Sequence, residues 1–195
     1  MGSQQIDNVH PKVHKINLPT KITLLRIVLV PFLLAFLIAP SQVNALMAAL
    51  IFGAAALTDW LDGHLARSTQ QVTTLGKLLD PIADKILLAA GLIPLVGLDR
   101  VPAWMAAILL IREFAVSGLR EIAAAEQVII PASSMAKAKT LLQIVAILFL
   151  ILNYQTWPLT FHTIGMGCLT LSLALSLASG FDYYLKGRRG LQYRW

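Results

Sequence analysis

The sequence predicts an all-α fold, a polytopic membrane protein with six transmembrane helices. Three observations carry this expectation. Hydrophobic residues make up 57% of the 195 positions and charged residues only 13%, about half the charged share of a soluble domain. The apolar residues gather into six runs, each near or above the ~20 residues that cross a hydrocarbon core. The breaks between runs carry turn formers.

The first run, about 22–39, follows a polar N-terminal stretch and stops at Pro40-Ser41. The second, 43–62, gives way to the polar stretch from Ser68 to Thr74. The third, 75–97, closes at Gly97 to Pro102, and the fourth, 102–124, runs on towards Pro131 to Ser134. The fifth, 137–154, and the sixth, 158–185, part at Pro158. Residues 1–21 then form an interfacial segment, 22–186 one six-helix unit, and 187–195 a basic tail. Between Ile6 and Asn17 apolar and basic groups alternate, as in a segment lying on a membrane surface. His10 and His14 stand at metal-ligand spacing there, but Lys12 and Lys15 among them favour the surface reading. Trp104, Trp157 and Trp195 fall near helix ends, where aromatic anchors sit.

Basic residues set the orientation. Lys12, Lys15 and Lys21 precede the first run; Arg67 and Lys77 flank the second connection; Lys137 and Lys139 follow the fourth; Lys186, Arg188, Arg189 and Arg194 close the chain. The opposite connections carry only Arg100, beside Asp99. Both termini are therefore expected in the cytoplasm, in a bacterial-type inner membrane. The net charge of +6 suits anionic lipid heads better than nucleic acid in this setting. The single cysteine, Cys168, excludes an internal disulfide and a cysteine metal cage.

Four of the ten acidic residues gather in one stretch, "TDWLDGHLARSTQQVTTLGKLLDPIADK". Asp59 and Asp62 are three apart, Asp80 and Asp84 four apart, so each pair shares a helix face. A short connection between the runs makes their helices antiparallel neighbours and lets four carboxylates converge near the cytoplasmic surface. Like charges that close raise one another's pKa unless cations neutralise them. Arg67, Lys77 and Lys85 are near, but two hard divalent cations, Mg²⁺ or Mn²⁺, match an all-oxygen donor set better. His64 points away from the aspartate face. Gly63, Ala66 and Gly76 share turns with the aspartates and leave room for a phosphate or flat ligand, although small residues also pack membrane helices. Ala48, Ala49, Gly53 and Ala54 lack acidic neighbours and read as packing.

The spacing D-x2-D-G-x2-A-R-x8-G-x3-D-x3-D, met at Asp59, Asp62, Gly63, Ala66, Arg67, Gly76, Asp80 and Asp84, resembles the signature of the CDP-alcohol phosphotransferases. The six-run layout is similar to that family along nearly the whole chain. The resemblance implies transfer of a phosphatidyl-type group from a CDP-linked lipid to an alcohol, with CMP released. It implies that Asp59, Asp62 and Asp80 hold metal, and that Asp84 is both ligand and general base. It places Gly63, Arg67 and Gly76 against the CDP portion. "NLPTKIT" resembles a stretch bordering the nucleotide pocket, which adds Thr20 and Thr23; Thr73 is a further candidate. With no Ser/His or Cys/His pair near the motif, direct attack by the acceptor is favoured.

The acceptor must be read elsewhere. "ILLIREFAVSGLREIAAAE" sets Arg112, Glu113, Arg120 and Glu121 in a spanning run, and Lys137 and Lys139 follow in "PASSMAKAKT". An intramembrane arginine needs an anionic partner or a wet cavity. Arg112 could pair structurally with an acid, Glu113 of a neighbouring chain or a motif aspartate. Lys137 and Lys139 could simply be positive-inside residues. Taken together, Arg112, Arg120, Lys137 and Lys139 suit the phosphate of an anionic acceptor. This region and "NLPTKITLLRI" resemble the branch of the family that uses glycerol 3-phosphate, which implies CDP-diacylglycerol as donor. Inositol phosphate, serine and phosphatidylglycerol are the alternative acceptors. A transporter using intramembrane aspartates is the alternative class. The resemblance also implies a homodimer.

Overall fold

A computed structural model describes residues 18–39, 41–69, 74–125, 134–153 and 160–192, with the side chains at 18–19, 59–69, 74–78, 125, 134, 136 and 184–192 outside the description. The described chain is all-helical: α1 (Leu18–Ile38), α2 (Gln42–Thr69), α3 (Thr74–Gly97), α4 (Ala103–Ala125), α5 (Ser134–Ile151) and α6 (Thr160–Gln192), with no strand among the described residues. The six helices fall on the six apolar runs. The main difference is length, since α2 continues past residue 62 to Thr69 and α6 past 185 to Gln192. Hydropathy marks only the apolar part of a helix, whereas backbone hydrogen bonding propagates through polar residues. Part of the expected basic tail is therefore a continuation of α6.

Two helices contain stretches long and apolar enough to cross a membrane, Thr20–Ile38 and Thr160–Tyr183. The apolar part of α2 is shorter, Gln42–Thr58. Large apolar side chains also point outward from all six helices, among them Phe32, Leu50, Ile93, Ile111, Leu141 and Phe181. A helix apolar on both its inner and outer faces matches lipid rather than water, and the chain is a membrane protein.

α1 packs along both α2 and α3, α5 packs along α6, and α4 lies against α3 and α6. α2 and α3 meet each other along a shorter stretch than either shares with α1. The simple hairpin expected of the two aspartate helices is thus completed by a third helix between them. Leu33, Phe52, Leu92, Leu109, Ile147 and Leu169 lie in the buried core. Close helix approach replaces the hydrophobic driving force that lipid cannot supply. At Gly165 a Cβ would come 2.7 Å from Leu150 Cγ and 3.2 Å from the Ala146 carbonyl oxygen, so α5 and α6 touch through that missing side chain.

The connections close in ways their residues dictate. Ser41 caps α2, its Oγ accepting from the Asn44 N–H at 3.0 Å. Asp99 adopts a left-handed φ of 55° in the α3–α4 turn. Arg100 donates through Nη1 to the carbonyls of Leu150 and Ile151, each at 2.9 Å, and so satisfies the end of α5. Trp104 is exposed in the first turn of α4, as an interface anchor would be. The buried polar side chains lie in the opposite half of the bundle: Thr20, Thr23, Arg26, Arg112, Lys139, Gln143, Ser172, Ser176 and Ser179. That half holds the starts of α1, α3 and α5, and it is where the site lies.

Candidate active site

α3 presents Asp80 and Asp84 one helical turn apart, both exposed. α1 runs parallel beside them and supplies a partner to each. Thr23 donates its hydroxyl to Asp80 Oδ1 at 2.5 Å. Arg26 donates through Nη1 to Asp84 Oδ1 and forms an ion pair with it. Arg26 is only 2% exposed while Asp84 is 48% exposed. A guanidinium removed from solvent needs an anion, and the last aspartate of the motif is that anion. Thr20, buried one turn before Thr23, lies in the same wall.

Asp59 and Asp62 lie in the last part of α2, which packs on α1. Their side chains, with those of Arg67 and the positions Gly63 and Gly76, lie outside the description, and so does all of Thr73. The structure therefore describes the α3 pair alone, and the expected convergence with Asp59 and Asp62 lies outside the described side chains. Asp80 and Asp84 offer hard oxygen donors on one exposed face, and the described chain brings no cysteine or histidine against them. That donor chemistry fits Mg²⁺ or Mn²⁺. Lys85, next to Asp84, turns back to the Pro81 carbonyl at 3.0 Å and lies 5.9 Å from the centroid of the Phe114 ring.

That contact sets α4 abreast of α3. Beside Phe114, Glu113 Oε1 accepts from Arg112 Nη1 at 3.1 Å and from the buried Lys139 Nζ of α5. Arg112 is fixed to α6 as well: Nε donates to the Ser176 carbonyl at 2.7 Å and Nη2 to Ser179 Oγ at 2.6 Å. Gly180 makes this possible, because a Cβ there would stand 3.3 Å from Arg112 Nε. Arg120 rests on Tyr183, donating to its hydroxyl at 3.1 Å with the guanidinium carbon 5.3 Å from the ring centroid.

Of the four cations expected to hold an acceptor phosphate, Arg112 and Lys139 meet at Glu113, and Arg120 rests instead on Tyr183 of α6. Lys137 stands exposed on α5. The acid that pairs with Arg112 is its own neighbour in the chain, Glu113. Two features go beyond the residues singled out from the sequence, and a third, Glu113, takes on more than a pairing role. Arg26 interrupts an apolar run, the same signal that singled out Arg112. Glu113 was weighed only as a structural partner. The serines at 172, 176 and 179 follow helical spacing, and all three are buried against the ion cluster or its backbone.

A family model described as CDP-alcohol phosphatidyltransferase matches residues 16–178. The CDP-diacylglycerol–glycerol-3-phosphate 3-phosphatidyltransferase of Bacillus subtilis (strain 168) is 38% identical over 188 residues, covering 90% of this chain and 97% of that protein. A protein of the same name from Rickettsia felis is 39% identical over 170 residues, covering 86% of this chain and 93% of its own. Another, from Shigella flexneri serotype 5b, is 34% identical over 181 residues, covering 90% and 97%. With the family match spanning most of its length and relatives this similar across nearly their whole chains, this protein belongs to the CDP-alcohol phosphatidyltransferase family.

Proposed function

We propose that this enzyme transfers the phosphatidyl group of CDP-diacylglycerol to a hydroxyl of glycerol 3-phosphate, releasing CMP. One observation supports it above the rest: two buried cations meet one acid on the helices that pack beside the one carrying Asp84. The Lys85 ammonium of α3 lies 5.9 Å from the Phe114 ring centroid of α4, and Glu113, next to Phe114 in the chain, gathers Arg112 and Lys139. We take an acceptor with a phosphate at one end and a hydroxyl at the other to span the two groups.

In this reading Arg112, Arg120 and Lys139 bind the acceptor phosphate through charge-assisted hydrogen bonds, and Lys137 attracts it from solvent. The acceptor hydroxyl then lies within reach of Asp84. Its oxygen attacks the lipid-bearing phosphorus, its proton passes to the Asp84 carboxylate, and the bond from that phosphorus to the CMP oxygen breaks. Asp59, Asp62, Asp80 and Asp84 would hold two divalent cations, which neutralise pyrophosphate oxygens and the leaving CMP when bound. Thr20, Thr23, Gly63, Arg67, Thr73 and Gly76 line the CDP side.

Six membrane crossings follow if α2 to α5 also span, with their charged ends at the cytoplasmic face. The polar half of the core then opens to the water that supplies acceptor and removes CMP, while the acyl chains stay in lipid. Purified protein supplied with CDP-diacylglycerol, Mg²⁺ and a panel of acceptors tests the whole reading. CMP release should depend on glycerol 3-phosphate; release with serine or inositol phosphate alone would reassign the acceptor, and none with any acceptor would end the enzymatic reading.

A further inference from the structure

The strongest unassigned feature is the buried arginine of α1. Arg26 and Thr23 are three apart on α1, Asp80 and Asp84 four apart on α3, and they pair in parallel register, Thr23 with Asp80 and Arg26 with Asp84. Two adjacent ties of this kind fix both the translation and the rotation of α3 against α1. A leucine at position 26 would pack these helices without the cost of desolvating a guanidinium. What the arginine adds is a directed grip on one carboxylate oxygen.

We infer that Arg26 is a positioning residue for the reaction: by holding Oδ1 of Asp84 it sets the direction in which that carboxylate meets the acceptor hydroxyl. The inference rests on the proposed role of Asp84 as the base. Asp84 is half exposed and sits on one helix face, so packing alone leaves its rotamer open. The buried cation closes that freedom from below and leaves the exposed side facing the substrate. A base misplaced by about 1 Å can cost on the order of a hundredfold in rate, so the grip acts on turnover and not on the affinity of either substrate.

The experiment compares Arg26→Gln, Arg26→Lys and Asp84→Asn in the full-length, detergent-purified enzyme. It reads kcat, KM for each substrate, binding of CDP-diacylglycerol and thermal unfolding. Arg26→Gln should lower kcat roughly 10- to 100-fold, while both KM values and CDP-diacylglycerol binding stay within about threefold of the parent, a margin well under one tenfold step in free energy. Arg26→Lys, with the charge kept on a single-pronged head, should recover only part of the loss. Parental kcat in either folded variant overturns the inference. So does an equal loss of kcat and CDP-diacylglycerol binding, which marks a merely structural tie. If neither variant folds, Arg26 is a structural residue and the inference falls. Asp84→Asn separates the two levels: if it keeps turnover, the proposed base is wrong; if it is inactive while Arg26→Gln is normal, only the role of Arg26 fails.

Discussion

The two polar regions of the bundle are built with opposite charge logic. Where α1 meets α3, exposed carboxylates stand in front of a buried cation: Asp80 and Asp84 face outward, and Arg26 backs them from the core. Where α4, α5 and α6 meet, two buried cations converge on one acid: Arg112 and Lys139 on Glu113. The first region presents negative charge, which suits the divalent cations of the proposed reaction. The second sets two cations on one acid, which suits the acceptor phosphate of the proposed reaction. Together they suit the proposed reaction, which brings a cation-bound pyrophosphate to an anionic alcohol. The difference also separates their expected failures. Damage to the first region should appear in turnover, and damage to the second in acceptor affinity.

The largest expected effect comes from the first region. Asp84→Asn keeps the shape of the side chain and an oxygen that can accept from Arg26, but removes the negative charge of the ion pair and with it the base. Turnover should fall by about 10²- to 10⁴-fold, the usual worth of a positioned general base, with CDP-diacylglycerol binding measured by titration largely kept. Near-parental turnover would take Asp84 out of the chemistry and erase the contrast between the regions. The second region should respond differently. Arg112→Ala removes a guanidinium whose hydrogen bonds to a charged ligand are worth roughly 1.5–3 kcal/mol each. KM for glycerol 3-phosphate should rise by about 10- to 100-fold while CDP-diacylglycerol binding is spared. Equal loss of both substrates would make Arg112 a structural strut between α4 and α6.

How much of this was legible from the sequence follows the reach of each interaction. The aspartates were legible because their spacing is local: three and four residues on a helix define a shared face before any tertiary contact forms. The Arg26–Asp84 pair was not, since it depends on the register of two helices 58 positions apart in the chain. Yet an arginine among leucines in α1 carried the same signal as the one in α4. Glu113 was hard to place for a different reason. Adjacent residues on a helix point to different sides, and only the length of the two side chains and the arrival of Lys139 from α5 bring them together. The serines of α6 read as ordinary helix filler because a serine can return its hydroxyl to its own backbone, as Ser179 does to the Ser176 carbonyl at 3.1 Å. Their alignment with Arg112 becomes visible only once α4 and α6 are docked.

The smallest predicted effect tests that alignment most finely. Gly180→Ala adds one methyl group 3.3 Å from Arg112 Nε and 3.7 Å from its Cγ. Arg112 has little room to yield, because Ser176 and Ser179 hold its Nε and Nη2 at 2.7 and 2.6 Å from the same helix. The guanidinium must shift by a few tenths of an ångström or give up one of those bonds, which are worth about 1 kcal/mol or somewhat more. The helix itself gains from the change, since alanine is favoured over glycine by roughly 0.8–1.0 kcal/mol in a helix interior. Thermal stability in detergent should therefore hold steady or rise slightly, while KM for glycerol 3-phosphate climbs about three- to tenfold and kcat barely moves. Those opposite signs separate a binding effect from a folding defect, which would lower stability and activity together. If KM stays at the parental value, the acceptor tolerates a displaced Arg112, and the positive region owes its selectivity to Lys139 and Arg120 instead.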